Sequence, residues 1–237
     1  MELISVQVPK TAGSAFGKIL ARQYSGDELL LDEPEFVLDP NSLFQRYFDL
    51  WKYVNGKRQL NQPTAARCVH GHFWIGKYAP FFPKARKIIF LREPIQRVIS
   101  HYFYWKGRAL VRNSLQQRLI EENLSLLEFA ALPQIRNIVS ATFIRDYDLS
   151  DFDFVGFQEF FAEDLAELAR LMGWCVPVDS ITVVNRTASR EYEEFRIDPE
   201  TAGKLAELNE QDVRLYERAI QGRMRPAPDP RSIERKD

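Results

Sequence analysis

Two apolar runs, each ending in a tight turn and a helix start, constrain this chain more than any other feature. The first, Leu3-Ile4-Ser5-Val6-Gln7-Val8, has the length and branched character of a buried strand. It passes through Pro9-Lys10-Thr11-Ala12-Gly13-Ser14 into a helix whose apolar face carries Phe16, Ile19, Leu20 and Tyr24. The second, Lys87-Ile88-Ile89-Phe90-Leu91, ends at Arg92, with Pro94 at a first helical position and Ser100 two turns further on. Strands this apolar belong inside a parallel sheet with both faces covered. A helix that begins straight after such a strand aims its unbonded first-turn N–H groups at whatever lies beyond the strand end, and an anion fits there. Arg92 and Ser100 are candidates to grip a second phosphate.

The rest of the chain extends the same pattern. Ala66 to His70 reads as a short strand leading into Gly71-His72-Phe73-Trp74-Ile75-Gly76-Lys77, and Phe152 to Phe157 and Ser180 to Val184 read as two more. Helical spacing of apolar residues runs through Ser114 to Ala131, Pro133 to Tyr147, Glu159 to Met172 and Glu200 to Ile220. Asp27 to Asn61 mixes Pro34, Pro40 and Asn55-Gly56 with aromatics and reads as loop and short helix. Strands alternating with helices predict an α/β fold: three α/β/α layers around a mostly parallel central sheet, with a P-loop-like turn after the first strand. At 237 residues the expectation is one domain over 1–221 and a Pro- and charge-rich tail over 222–237.

Charge and cysteine content narrow the function classes. Lys and Arg number 32 against 33 Asp and Glu, which argues against a nucleic-acid binder while leaving room for a few cations focused on one pocket. Cys68 and Cys175 match no zinc or redox spacing and are expected to be reduced thiols. The N-terminus lacks a basic region followed by a long apolar segment, and no stretch approaches a membrane span, so a soluble, cytoplasmic protein is expected. A Walker A loop is not present. Gly13, Gly17 and Lys18 come close, but the spacing is one residue short, Ile19 stands where a hydroxyl belongs, and Lys10 precedes the glycine. The second strand ends in Arg92 where a P-loop NTPase commonly carries a magnesium-binding Asp.

These residues resemble the PAPS-dependent sulfotransferases, PAPS being 3′-phosphoadenosine 5′-phosphosulfate. Pro9 to Ser14 is similar to the family's 5′-phosphosulfate loop and Leu91 to Tyr102 to its 3′-phosphate segment. His70-Gly71-His72 is similar to the His-Gly-His of the heparan sulfate 2-O-sulfotransferase branch. Arg136-Asn137, Phe154 to Phe157 with Glu159, Val184 to Thr187, and Asp212 with Leu215-Tyr216 are weaker landmarks.

The resemblance implies transfer of a sulfuryl group from PAPS to a hydroxyl, or less readily an amine, with PAP as product and no metal. Lys10 then stabilises the leaving oxygen between phosphate and sulfate. The amides of Thr11, Ala12, Gly13, Ser14 and Ala15, with the hydroxyls of Thr11 and Ser14, hold the 5′-phosphate. Arg92 and Ser100 take the 3′-phosphate. Asn185 and Thr187, with Asn137 a weaker candidate, reach the 3′-phosphate or base. His72 is the candidate general base, with His70 as its orienting neighbour or as the base itself.

Arg97 is expected to be solvated or paired with an acid, His101 to be structural, and Asp212 and Tyr216 to serve helix packing and solvation. Trp51, Trp74, Trp105 and Tyr104 are aromatics that can stack on a sugar or ring. The acceptor is then a saccharide, glycolipid, small metabolite or peptide tyrosine. The competing readings are an atypical nucleotide kinase and a noncatalytic PAP- or PAPS-binding protein.

Overall fold

The computed structural model describes residues 1–32, 66–108, 111, 113–175, 192 and 194–224. Five parallel strands, β1 (Leu3–Val6), β2 (Leu29–Asp32), β3 (Cys68–Gly71), β4 (Arg86–Leu91) and β5 (Phe154–Phe157), form one sheet in the order β2-β3-β1-β4-β5. β1 lies in the middle, with Leu3 opposite Cys68 on one side and Arg86 on the other. The period of two sorts its neighbours onto two faces. Leu3, Cys68, Ile88 and Phe90 pack under α1 (Gly13–Gln23) with Phe16 and Leu20, and under Phe161, Leu165 and Leu168 of a later helix. Ile4, Val6, Val69, Ile89 and Leu91 face the opposite layer, which includes Phe143 and Leu215.

The second strand-turn-helix feeds α2 (Pro94–Lys106), where Pro94 supplies the fixed φ of a first turn and Glu93 caps it. Helices α3 (Ser114–Glu121) and α4 (Leu126–Ala131) pack on α2 around Val98, Leu119 and Phe129. Helix α5 (Phe161–Met172) returns to the sheet after β5, and α6 (Pro199–Leu208) and α7 (Glu210–Met224) close the described chain. The three-layer α/β expectation is met.

Several details depart from the sequence reading. β2 falls in the segment expected to be loop; Gly71 lies so close to it that a Cβ there would overlap the Asp32 carbonyl. The expected helix over 114–131 is broken at Asn123, which takes φ 47°. The expected helix over 133–147 is a run of turns around one π-helical stretch, Val139–Phe143. Asn137 at φ 47° and Asp146 at φ 65° bracket it. The long closing helix is divided at Asn209. Past Gly222, where the tail is expected to begin, α7 continues to Met224 and Arg223 donates to the buried Asp164 carboxylate at 2.6 and 3.0 Å, while residues 225–237 lie outside the described residues. The expected strand at Ser180 to Val184, most of the aromatic segment including Trp51, and the candidates Asn185 and Thr187 lie outside the described residues.

Candidate functional site

The chain switches direction across the sheet at β1: the path to β2 and β3 leaves on one side, and β4 and β5 are added on the other. In open α/β sheets such a switch opens a crevice beyond the carboxyl ends of the strands. Lys10 follows β1, Arg92 follows β4 and His72 follows β3, so three adjacent strands deliver these three residues to one edge.

The turn after β1 leaves a strained, uncapped helix start. Lys10 takes φ 71° and Ala12 φ 64°, a left-handed conformation that costs a non-glycine residue about 1–2 kcal/mol. Backbone strain of this size persists where the surroundings enforce it, commonly at sites that bind. Ala12 is the N-cap of α1 yet has no side chain to cap with, and the first turn carries no acidic residue. The positive end of α1 is thus left without an internal anion. Gly13 lies against the Gln7 side chain, which a Cβ there would displace.

Two members of the expected cradle have other work. The Thr11 hydroxyl is buried and donates to the Val8 carbonyl at 2.9 Å, which fixes the turn and turns this group away from a ligand. The Ala15 amide donates to the Ala12 carbonyl at 3.0 Å. Ser14 is exposed beside Gly13 at the helix start.

Arg92 joins the second motif to the first. Its Nη1 donates to the Lys10 carbonyl at 3.3 Å, and its Nη2 to the Tyr192 hydroxyl at 2.8 Å. Lys10 is half-buried, with its ammonium 3.7 Å from the centre of the Tyr104 ring. Burial, then the charges of Arg92 and Arg108, bring its pKa down to about 8. Among the described residues, none of Lys10, Arg92 and Arg108 forms an ion pair with a carboxylate. Ser100, the expected partner of Arg92, is fully buried.

The two histidines of the His-Gly-His segment part company. His72 is half-buried, and its Nδ1 lies 2.7 Å from the Gln7 carbonyl. A carbonyl only accepts, so Nδ1 carries the hydrogen and in the neutral ring the basic lone pair is on Nε2. His70 is 3% exposed beneath α1, with Nδ1 2.8 Å from the Ser5 hydroxyl and its ring against Phe16. Burial, then the charge of His72, lowers its pKa to about 4. His70 is thus a buried ring held against β1 through Ser5, which sets it apart from the half-buried His72.

Burial and hydrogen bonding place several other residues singled out in the sequence. Arg97 is fully buried, donating to the Ile135 carbonyl at 3.4 Å, with burial lowering its pKa and the Asp212 charge opposing that. His101 is structural as expected, edge-on to Trp105 and Phe129. Asn137 accepts from the Gln211 and Asp212 amides, at 3.0 and 3.2 Å, and so caps α7. Asp212 is 1% exposed and accepts from the amides of Val139 and Ser140, so it packs but is not solvated. Trp105 is buried, which removes it as a platform for an acceptor, and Trp74 donates to the Arg145 carbonyl at 2.7 Å.

Sequence reasoning did not find Gln7, Tyr192 or Arg108. Arg108 stands four residues after Tyr104 at the end of α2, a spacing that brings side chains together and was a usable signal. Tyr192 reaches Arg92 across 100 residues, with no local trace.

The chain matches the sulfotransferase family over residues 1–217. It belongs to that family. The expectation of a sulfotransferase is met at the level of the family. Among solved structures it is similar to a sulfotransferase from Alicyclobacillus acidocaldarius at 16% identity, covering 93% of this chain and 96% of that one, with a TM-score of 0.42. It is also similar to mouse sulfotransferase SULT7A1 complexed with PAP, at 14% identity over 95% and 85% of the two chains, TM-score 0.44. A third is retinol dehydratase in a complex with retinol and PAP, at 11% identity over 89% and 80%, TM-score 0.39. No curated protein matches. Among the described residues there is no group of three or more His, Cys, Asp and Glu that could hold a metal ion, and no helix long and apolar enough to cross a membrane.

Proposed function

We propose that this sulfotransferase moves the sulfuryl group of PAPS to an acceptor hydroxyl by in-line attack, with Lys10 at the leaving group and His72 as general base. The observation that carries this reading is the bond from Arg92 to the Lys10 carbonyl, which joins the two phosphate motifs side by side at the carboxyl ends of β1 and β4. An uncapped helix start and three cations without carboxylate partners among the described residues suit a ligand that is anionic at both ends of its ribose. PAPS supplies an activated sulfuryl group on a phosphate leaving group.

The chain's residues then do the following. The amides of Ala12 to Ser14 and the α1 dipole receive the 5′-phosphate side. Arg92 offers its guanidinium to the 3′-phosphate by charge-assisted bonds. The Lys10 ammonium meets the charge that grows on the bridging oxygen as the S–O bond breaks. His72 Nε2 takes the acceptor's proton as the new O–S bond forms, while the Gln7 carbonyl holds the opposite side of the ring. The acceptor class we favour is a saccharide or small metabolite.

The test is transfer of radiolabelled sulfate from PAPS across a panel of sugar, phenol and small-alcohol acceptors, with wild type, Lys10→Ala and His72→Ala. Label transfer lost in both variants supports the roles given. Wild-type rates in His72→Ala would remove the base assignment. PAP binding without transfer to any acceptor would favour a nucleotide-binding protein that performs no catalysis.

A further inference from the structure

Lysine is a flexible donor: four methylenes separate its charge from the backbone, and an ammonium that must meet one oxygen needs something to fix it. Here that something is an aromatic floor. The Lys10 ammonium sits 3.7 Å from the centroid of the Tyr104 ring, within the range of a direct cation–π contact. Arg108 accompanies the same ring, with its guanidinium 4.8 Å from the centroid and Nη1 donating to the Tyr104 hydroxyl. Tyr104 is 36% exposed, so it is not anchored in the core in the way its helix neighbours Phe103 and Trp105 are.

We propose that Tyr104, steadied by Arg108, is a positioning residue for Lys10 that holds the ammonium over the turn while leaving its N–H donors for the leaving oxygen. The inference rests on the role given to Lys10 above. A carboxylate in the same place would hold the ammonium more strongly, but it would engage those donors and repel the anionic cosubstrate. A ring face attracts the cation through its quadrupole and does neither. Arg108 adds positive charge at the same edge and, through its bond to the hydroxyl, restricts rotation of the ring. The pKa of Lys10, brought down to about 8 by burial and then by the charges of Arg92 and Arg108, agrees with an ammonium kept apart from carboxylates among the described residues.

The experiment compares Tyr104→Leu, Tyr104→Phe and wild type in three readouts: the rate of PAPS conversion to PAP, the Kd for PAP, and the proton shifts of the Lys10 ε-methylene in the ligand-free protein. We expect the ε-methylene to be displaced upfield by the ring current in wild type and Tyr104→Phe and to return to ordinary values in Tyr104→Leu. Tyr104→Leu should lower the rate about 10- to 100-fold, as a misplaced catalytic group does, with the Kd for PAP changed less than about threefold. Tyr104→Phe keeps the ring and should recover most of the rate. An unshifted ε-methylene in wild type, an undiminished rate in Tyr104→Leu, or a phenylalanine variant as slow as the leucine one overturns the proposal. Absence of PAP binding in the wild type would instead overturn the cosubstrate assignment, and the ε-methylene shift would then decide the positioning claim by itself.

Discussion

The turns after β1 and β4 start from the same plan, a buried parallel strand running straight into a helix, yet they are finished in opposite ways. At α1 the N-cap is Ala12, left-handed and without a capping side chain, and the first turn has no acid. At α2 the Glu93 carboxylate accepts from the amides of Ile95 and Gln96, at 3.0 and 2.7 Å, so the helix start already holds its anion. The Glu93 amide in turn donates to Glu159. One turn leaves its backbone open; the other closes its backbone and presents a side chain, Arg92. In the function proposed above, two phosphates are thus met by different chemistry: amides and a dipole at one end, a guanidinium at the other.

The largest effect should come from removing the cation of the open turn. Lys10→Ala is expected to slow PAPS turnover by about 100- to 1,000-fold, the usual loss for a group that stabilises developing charge. Its PAP affinity should fall far less, as single-turnover rates beside calorimetry would show. Arg92→Ala, at the closed turn, should do the reverse and weaken PAP binding by about 10- to 100-fold, the worth of a charge-assisted contact.

A third effect follows from the pKa of Lys10. Its pKa is about 8 in the folded protein against 10.5 for a free side chain, so the folded state sheds the proton first. Turnover per unit PAPS at low concentration should therefore fall as pH rises through about 8. Between about 8 and 10.5 the unfolded chain holds more protons than the folded one, so this group makes stability increase with pH across that window. His70, lowered to about 4 from 6.5, should make the protein lose stability as pH falls through that interval. Thermal melts at stepped pH check both.

The smallest effect is the most pointed. Ser14→Asp places a carboxylate in the uncapped first turn of α1 and should stabilise the ligand-free protein by about 0.3–1 kcal/mol while competing with PAP. Glu93→Ala removes the cap of α2 and should destabilise it by about 1 kcal/mol. Chemical denaturation of the two variants would erase the comparison if both moved in the same direction.

The two phosphate motifs were legible because each is local: a strand, a turn and a helix written in consecutive residues. Lys10 and Arg92 came with them, and His72 with the turn after β3. What was not legible depends on partners far along the chain. Asp212 bonds the Val139 and Ser140 amides from more than 70 residues away, and that contact replaces a helix with turns where the apolar spacing of 133–147 looked regular. β2 is a four-residue edge strand with exposed Leu30 and Leu31, so it shows neither alternation nor a buried run. His70 and His72 share a tripeptide, yet one ring sits under α1 and the other bonds Gln7. The sequence reading favoured His72 as the base but could not show that His70 is buried, because burial is set by α1 packing across the sheet. Asn123, Asn137 and Asp146 break helices through positive φ, a tolerance these residue types have but do not always use.

The most direct test of the clamp compares the affinity of PAP with that of AMP, which lacks the 3′-phosphate, by calorimetry without magnesium in wild type and Arg92→Ala. The account predicts that wild type prefers PAP by about 10- to 100-fold and that the preference disappears in Arg92→Ala while AMP affinity is kept. Equal losses for both ligands in the variant, or a wild type indifferent to the 3′-phosphate, would contradict it.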